Sequence, residues 1–363
     1  MKKILILANS SGGLYDFRNE LVLKLLAEYE VTASLPDTVR TKELEAEGCK
    51  VVATAINRRG VNPIEDLKLL ISYCKLLKTE KPDMVLTYTI KPNIYGGFAC
   101  RLKKIPYITT ITGLGTTFQN EGLLRKVITV MYRMGLAGAS CVFFQNEENK
   151  RIFEKYRIKG KSSRLVKGSG VNLSRHCFEE YPKEEKTIFL YVGRMMREKG
   201  TLELLEAAKD LASSDVEFRL LGYCDEDLKD KLDEAEKNGF IRQLGFDPNV
   251  HEHIVQASAM VHPTYHEGMS NVLMEACATG RPVIATNISG CKEIFKEGIT
   301  GFGCKPKDSE SLKEAIQKFL VLSTEERAEM GRKARDKMER EFDRNQVAEH
   351  YYEEIVNVLT DKK

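Results

Sequence analysis

A chain of 363 residues, 42% hydrophobic and 30% charged, exceeds one ordinary core and reads as a globular protein of two or three domains. Nine cysteines stand singly with no Cys-x-x-Cys pair, an odd count that predicts reduced cytosolic thiols rather than a disulfide framework. The net charge of +3 conceals 29 basic against 16 acidic residues over 1–175 (+13) and 27 against 37 beyond (−10), so the halves are expected to meet different partners.

The N-terminus, MKKILILANS, has only about six apolar residues before it turns polar, and no stretch approaches the roughly 20 of a membrane span. Short β-branched runs then alternate with helical patterns. Lys3–Ala8, Val51–Ile56, Met84–Thr89, Tyr107–Thr112 and Cys141–Gln145 have the length and apolarity of buried parallel strands. Helix-length segments lie among them at Glu20–Glu28, Pro63–Thr79 and Gly122–Leu136. The series restarts with Thr187–Val192, Glu217–Leu221, Ile241–Leu244, Met260–His262 and Val283–Thr286. Two successive βα series predict two doubly wound α/β domains, 1–176 and 177–343, joined by the polar stretch Cys177–Lys186. The last segment, Thr324–Leu359, is expected to be helical, with residues 344–363 a C-terminal helix that crosses back to the first domain. Ligands of such folds bind at the carboxyl ends of the strands, here the loops Asn9–Leu14, Thr87–Asn93, Thr112–Thr116, Gly193–Gly200, Gly222–Asp227, Gly245–Asp247 and Tyr265–Ser270. Two such sheets are expected to face one central cleft.

The most specific motif runs from Tyr265 to Glu275. A strand ends at a Pro263 turn and Ser270 is placed to cap a helix, so free N–H groups over Gly268, Met269, Ser270 and Asn271 suit a phosphate. Glu267 lies just before the helix and Glu275 is expected two turns inside, about 12 Å away at ~1.5 Å per residue. Glu275 sits among apolar residues, where a carboxylate needs a partner. The loop Gly193-Arg194-Met195-Met196-Arg197-Glu198-Lys199-Gly200 offers a guanidinium and an ammonium able to neutralise a departing diphosphate. Ser10-Ser11-Gly12-Gly13 has the glycines of a loop that lets backbone approach a phosphate.

Together these motifs resemble the retaining GT-B glycosyltransferases of family four, along the whole chain. The resemblance implies a sugar transfer in which the acceptor hydroxyl attacks on the face the nucleotide leaves, with no protein nucleophile. It implies catalytic roles for Glu267 at the sugar and for Arg194 and Lys199 at the diphosphate. It implies donor contacts from Gly12, Gly13, Gly193, Gly222, Phe246, His266, Gly268, Met269, Ser270, Asn271 and Glu275, the last on ribose hydroxyls. Members carry a His in the first domain; the loop Thr87–Asn93 has none, and Lys91 is the polar group left. Tyr15, Arg18, Lys91, Asn93 and Thr112 are the expected acceptor contacts.

Within the family, Ser11–Arg18, Thr87–Gly96 and the Ile111–Gly115 segment look most like bacterial enzymes that extend undecaprenyl-diphosphate-linked saccharides. A UDP-sugar donor, a lipid-linked acceptor and N-acetylgalactosamine or a related hexose as cargo are implied. So are a cytoplasmic location peripheral to the membrane, no nucleic acid and no metal cofactor. The basic first half fits a lipid diphosphate and an anionic membrane surface, through Arg101, Lys103, Lys104, Arg125, Lys126 and the Lys150–Lys167 cluster. Leu123–Leu136 reads equally as an interfacial helix or as one facing the core.

Asp225-Glu226-Asp227 has the Asp-x-Asp form of a Mg²⁺ site, but it opens an acidic helix whose N-terminus favours carboxylates anyway. His251-x-His253 and His262/His266 show no Cys or carboxylate set at a zinc spacing. Gly113-Leu114-Gly115-Thr116-Thr117-Phe118 lacks the third glycine of a dinucleotide fingerprint, which argues against a dehydrogenase. The rival readings are a UDP-sugar 2-epimerase, which would turn over donor without acceptor, and a non-catalytic sugar-nucleotide-binding subunit.

Overall fold

The computed structural model describes residues 1–57, 60, 62–114, 122–183 and 186–360. The end of the Ile111–Gly115 segment, most of the glycine-poor stretch after it and part of the Cys177–Lys186 linker lie outside those residues. The chain forms two compact units, Met1–Ser169 with Arg344–Lys363, and Gly170–Asp343.

The first unit alternates β1 (Lys3–Leu7), α1 (Ser11–Leu26), β2 (Glu30–Leu35), α2 (Thr41–Ala46), β3 (Lys50–Ala53), α3 (Pro63–Glu80) and β4 (Met84–Tyr88). A π-helical turn at Pro92–Gly96 leads into α4 (Gly97–Lys103), then β5 (Tyr107–Ile111), α5 (Leu123–Leu136), β6 (Cys141–Phe144), α6 (Glu147–Lys155) and β7 (Ser162–Leu165). The strands form one parallel sheet in the order β3-β2-β1-β4-β5-β6-β7, with Ile4 of β1 between Val31 and Met84. Helices cover both faces, which is why β4 and β5 are buried throughout. Helix α3 starts where sequence rules place it: Asn62 accepts from Ile64 N (3.0 Å), Pro63 occupies the first turn, and Glu65 and Asp66 complement the dipole. It stops at left-handed Lys81 (φ 47°), immediately before Pro82.

The second unit runs β8 (Thr187–Val192), α7 (Thr201–Leu211), β9 (Val216–Leu221), α8 (Lys229–Lys237), β10 (Arg242–Gly245), α9 (Val250–Gln256), β11 (Ala259–His262), α10 (Asn271–Ala278), β12 (Val283–Thr286), β13 (Gly301–Cys304), α11 (Ser309–Leu320) and α12 (Thr324–Glu341). Its parallel sheet has the order β10-β9-β8-β11-β12-β13. The order reverses beside β8, the position at which doubly wound sheets open a crevice.

Two expectations are corrected. The boundary between units lies after Ser169, not after residue 176, because Val171 is buried in the second core and its N–H donates to Phe342 O (2.8 Å). The helical segment expected over Thr324–Leu359 consists of α12 and α13 (Arg344–Thr360), separated where buried Phe342 anchors the second unit. Helix α13 belongs to the first unit: Tyr351 stacks on Phe143 at 4.1 Å, and Arg344 donates to Asp16 O at 2.8 Å. Finally, Gly12 and Gly13 form no loop. They lie in the first turn of α1, where Gly13 N–H donates to the Ser10 hydroxyl (3.2 Å).

Candidate active site

In the second unit the ends of β8, β9, β10 and β11 bring the expected donor residues together. Gly193 (φ 148°) and Gly222 (φ 142°) end β8 and β9 in conformations that favour glycine. A Cβ on Gly222 would lie 2.1 Å from Gly193 O, so the two loops meet backbone to backbone. Beyond Gly193, half-exposed Arg194 holds its Nε 3.8 Å from Asp225, and Arg197 reaches Asp227 at 3.2 Å. The Asp-x-Asp carboxylates therefore each face an arginine.

A short 3₁₀ turn, Arg197–Lys199, carries Lys199 to Glu267. Two contacts fix the carboxylate, the Lys199 ammonium and His262 Nε2 at 2.9 Å, and a backbone bond from Tyr265 N–H to Glu198 O at 2.9 Å ties the two loops that carry Lys199 and Glu267. Burial pushes the Glu267 carboxyl upward, but the His262 hydrogen bond and the Lys199 charge outweigh it and hold it at about 2. Burial moves His262 the other way, below its ordinary value, so it is neutral near pH 7 and donates Nε2–H to Glu267. The result is a permanently anionic carboxylate with one ammonium beside it.

Gly200 (φ 71°) makes this contact possible. A Cβ there would lie 2.0 Å from Pro263 O, so the lysine turn and the strand end that leads to Glu267 pack backbone against backbone. Gly200→Ala is expected to cost about 2–3 kcal/mol through strain and displacement. Thermal unfolding, together with loss of transfer disproportionate to the loss of folded protein, checks it.

Sequence reasoning misplaced or missed several members of this site. Glu275 is the fifth residue of α10, so it sits little more than one turn inside, and Glu267 precedes the helix in a loop. The 12 Å estimate, which assumed eight helical residues, does not apply. Ser270 occupies the N-cap position but makes no capping bond, and its buried hydroxyl has no hydrogen-bond partner. Met269 turns its side chain into the core, leaving only its backbone for a ligand. Gly268 and Asn271 flank Ser270 on this turn, and His266 stands exposed beside it, edge-on to Tyr265 (6.5 Å). Glu275 is buried with His176 Nε2 3.8 Å away, a partner supplied by a distant residue. Gly290 (φ 90°) was not foreseen. Its carbonyl accepts from Ser270 N–H (2.8 Å), and a Cβ would lie 2.9 Å from Glu267 Cβ and Gly268 O. Its only signal is a Ser-Gly pair just after a strand. Exposed Phe246 stacks on exposed Tyr223 (4.6 Å, 11°), so the expected base contact comes with an aromatic partner that sequence did not supply.

In the first unit, the ends of β1, β4 and β5 open a pocket of about 680 Å³ lined by Asn9, Thr89, Thr112 and Gly113 and walled by apolar residues of α3 and α5. Thr89 has φ 72°, rare for a β-branched residue, and its buried hydroxyl has no hydrogen-bond partner. Such strain concentrates at ligand sites. Lys91 lines the same pocket but already pairs with Asp66 at 2.7 Å. Asn93 does not reach it: the residue is 1% exposed and its Nδ2 donates to Thr110 O at 2.8 Å, a structural role inside the π-helical turn. Tyr15 and Arg18 lie apart from it, under the Arg40 guanidinium (5.6 Å) and over the Tyr88 ring (4.5 Å) respectively. A Cβ fits at Gly12 and Gly13 without meeting anything closer than 3.4 Å, so the fold itself does not demand glycine there.

Residues 175–337 match the family Glycosyl transferases group 1, and residues 3–146 match Glycosyl transferase 4-like. The chain is 27% identical to the N,N'-diacetylbacillosaminyl-diphospho-undecaprenol alpha-1,3-N-acetylgalactosaminyltransferase of Campylobacter jejuni, over 96% of this chain and 97% of that protein. It is 28% identical to the UDP-Gal:alpha-D-GlcNAc-diphosphoundecaprenol alpha-1,3-galactosyltransferase of Escherichia coli, over 71% of each. Its fold is similar to that of Anabaena HepE crystallised with UDP and glucose (TM-score 0.81, 17% identity, 98% of this chain and 100% of that one).

Proposed function

We propose that the chain, whose residues 175–337 match the glycosyl transferases of group 1, moves a hexose or N-acetylhexosamine, N-acetylgalactosamine first among them, from a UDP-sugar to an undecaprenyl-diphosphate-linked saccharide, with retention at the anomeric carbon. The observation that carries the reading is the Lys199–Glu267–His262 cluster. A carboxylate held ionised faces the positive charge that develops on the sugar, while Lys199 and Arg194 meet the negative charge that develops on the departing UDP. Ser270 and the N–H groups that open α10 receive phosphate oxygens, Glu275 takes ribose hydroxyls, and Phe246 with Tyr223 flanks the base. No metal ion is needed, since the two cations supply what Mg²⁺ supplies elsewhere. The test is UDP release from a panel of UDP-sugars with EDTA present, with and without a polyprenyl-diphosphate-sugar acceptor. Release from one donor that requires acceptor supports the proposal. Turnover without acceptor indicates an epimerase or hydrolase, and binding without turnover indicates a binding subunit.

The acceptor side rests on the first unit's pocket and on the rim around it. Leu123, Leu124, Val127, Val130 and Met134 of α5 and Ile64, Leu67 and Ile71 of α3 are exposed, while α5 buries Thr129, Tyr132, Gly135 and Leu136. An apolar rim that includes Lys126 on α5 suits an anionic membrane surface at which a lipid-linked substrate waits. Among the described residues no helix is long and apolar enough to cross a membrane. Leu123→Glu combined with Val130→Glu is expected to weaken binding to phosphatidylglycerol vesicles about tenfold or more. Transfer to a water-soluble short-chain acceptor should be unchanged. Equal vesicle binding by variant and wild type, measured by flotation, removes this face from the proposal.

A further inference from the structure

The connector that enters β8 brings three donor groups to one point outside the site just described. Cys177 Sγ lies 3.4 Å from Glu179 Oε1 and 3.7 Å from His251 Nε2, and all three donor atoms lie within 4.8 Å of one another. His251 is the residue whose sequence neighbours offer no ligand set; the fold supplies the thiol from 74 residues away in the chain and the carboxylate from the same connector. His253, its partner in the His-x-His pair, is engaged elsewhere, 2.9 Å from Asp247.

Two features show that these groups are aimed rather than merely close. The Thr279 hydroxyl lies 2.9 Å from Glu275 O, to which it donates, and 3.3 Å from His251 Nδ1. That contact at Nδ1 holds the imidazole with Nε2 turned toward Cys177, the arrangement by which outer hydrogen bonds orient histidine ligands. The backbone that carries Glu179 is clamped as well. Glu179 N–H donates to Thr279 O (3.2 Å), while fully buried Arg281 donates to Glu179 O (2.8 Å) and Glu180 O (3.0 Å).

We propose that Cys177, Glu179 and His251 form a binding site for a single Zn²⁺ or chemically similar divalent cation, with water in the fourth position. A tetrahedral ion with metal–sulfur bonds of about 2.3 Å and metal–nitrogen or metal–oxygen bonds of about 2.0–2.1 Å sets sulfur–nitrogen and sulfur–oxygen edges of about 3.5 Å. The two sulfur edges observed lie on either side of that value, and the nitrogen–oxygen edge lies within 4.8 Å, so the two edges that involve the thiol already have the length a tetrahedral ion requires. One thiolate, one imidazole and one carboxylate select zinc over Mg²⁺ or Ca²⁺, which take oxygen ligands. Bound metal ties the connector to α9 and, through Thr279, to the backbone of Glu275. It takes no part in the transfer step, which this site does not touch.

Titration of the metal-stripped full chain with Co²⁺, followed by displacement with Zn²⁺, tests the site. The expected result is one equivalent of Co²⁺ with the intense visible bands of tetrahedral coordination and a thiolate charge-transfer band. Zn²⁺ should abolish both and raise the unfolding temperature. Cys177→Ser, at an exposed position that tolerates it, should lose the charge-transfer band, and His251→Ala should weaken binding on the order of 100-fold or more. Weak octahedral Co²⁺ spectra, or a thiolate band that survives Cys177→Ser, overturn the proposal.

Discussion

Glu267→Gln is expected to reduce transfer about 1,000-fold while leaving the protein folded and able to bind UDP. Glutamine keeps the size of the side chain and an oxygen to accept from His262 Nε2, 2.9 Å away in the wild type, so only the charge is removed. If the carboxylate acts by stabilising positive charge on the sugar, that charge is the whole of its contribution and kcat falls far more than KM rises. Stability responds as well. A carboxyl held at about 2, below its unfolded value of about 4.3, contributes stability that is present above the unfolded value and lost as pH falls through about 2. The glutamine variant forgoes that contribution, so its unfolding temperature should lie below the wild type at pH 7 and converge with it in acid. Initial rates of UDP release and thermal melts at two pH values check both statements; a variant with undiminished kcat sinks the assignment of Glu267.

What the sequence reveals of this fold follows from where the signal is local. β8, β12 and α3 were legible to within a residue, because apolar runs and the Asn62-Pro63 cap declare themselves without reference to distant chain. β2, β7 and β13 were not. β2 mixes Glu and Thr into its run, edge strand β7 is largely solvent-facing, and β13 alternates glycines, of which Gly301 stands flush against Val283 of β12. The candidate site divides along the same line. Glu267, Lys199 and Glu275 announced themselves as charges beside turns and apolar helices. His262, His176, Gly290 and Thr89 did not, because each matters through a contact or a backbone angle that exists only once remote segments meet. Asn93 shows the converse failure: polar, next to a proline and in a strand-end loop, it has the sequence of a ligand contact and the burial of a structural amide.

Lys199→Met is expected to reduce transfer about 100- to 1,000-fold and, more tellingly, to introduce a pH dependence that the wild type lacks. In the wild type Glu267 stays ionised at every pH where the protein is folded, because Lys199 and His262 together overcome burial. Without the ammonium, burial is opposed chiefly by the His262 hydrogen bond, and the carboxyl rises from about 2 toward and past its ordinary range. Its folded value then approaches the assay range from below, and activity that requires the carboxylate falls as pH is lowered through the new value. The wild-type profile should show no such acid limb. The double variant Lys199→Met/Glu267→Gln separates the two functions of the lysine. If Lys199 acted only by keeping Glu267 ionised, the double variant would match Glu267→Gln alone; a direct grip on the diphosphate makes it measurably worse. Since Lys199 is partly exposed and stands at the turn beside Arg194, the second result is the expected one, with the acid limb absent because glutamine does not titrate. A Lys199→Met enzyme whose rate is flat with pH would show instead that His262 alone suffices to hold the charge.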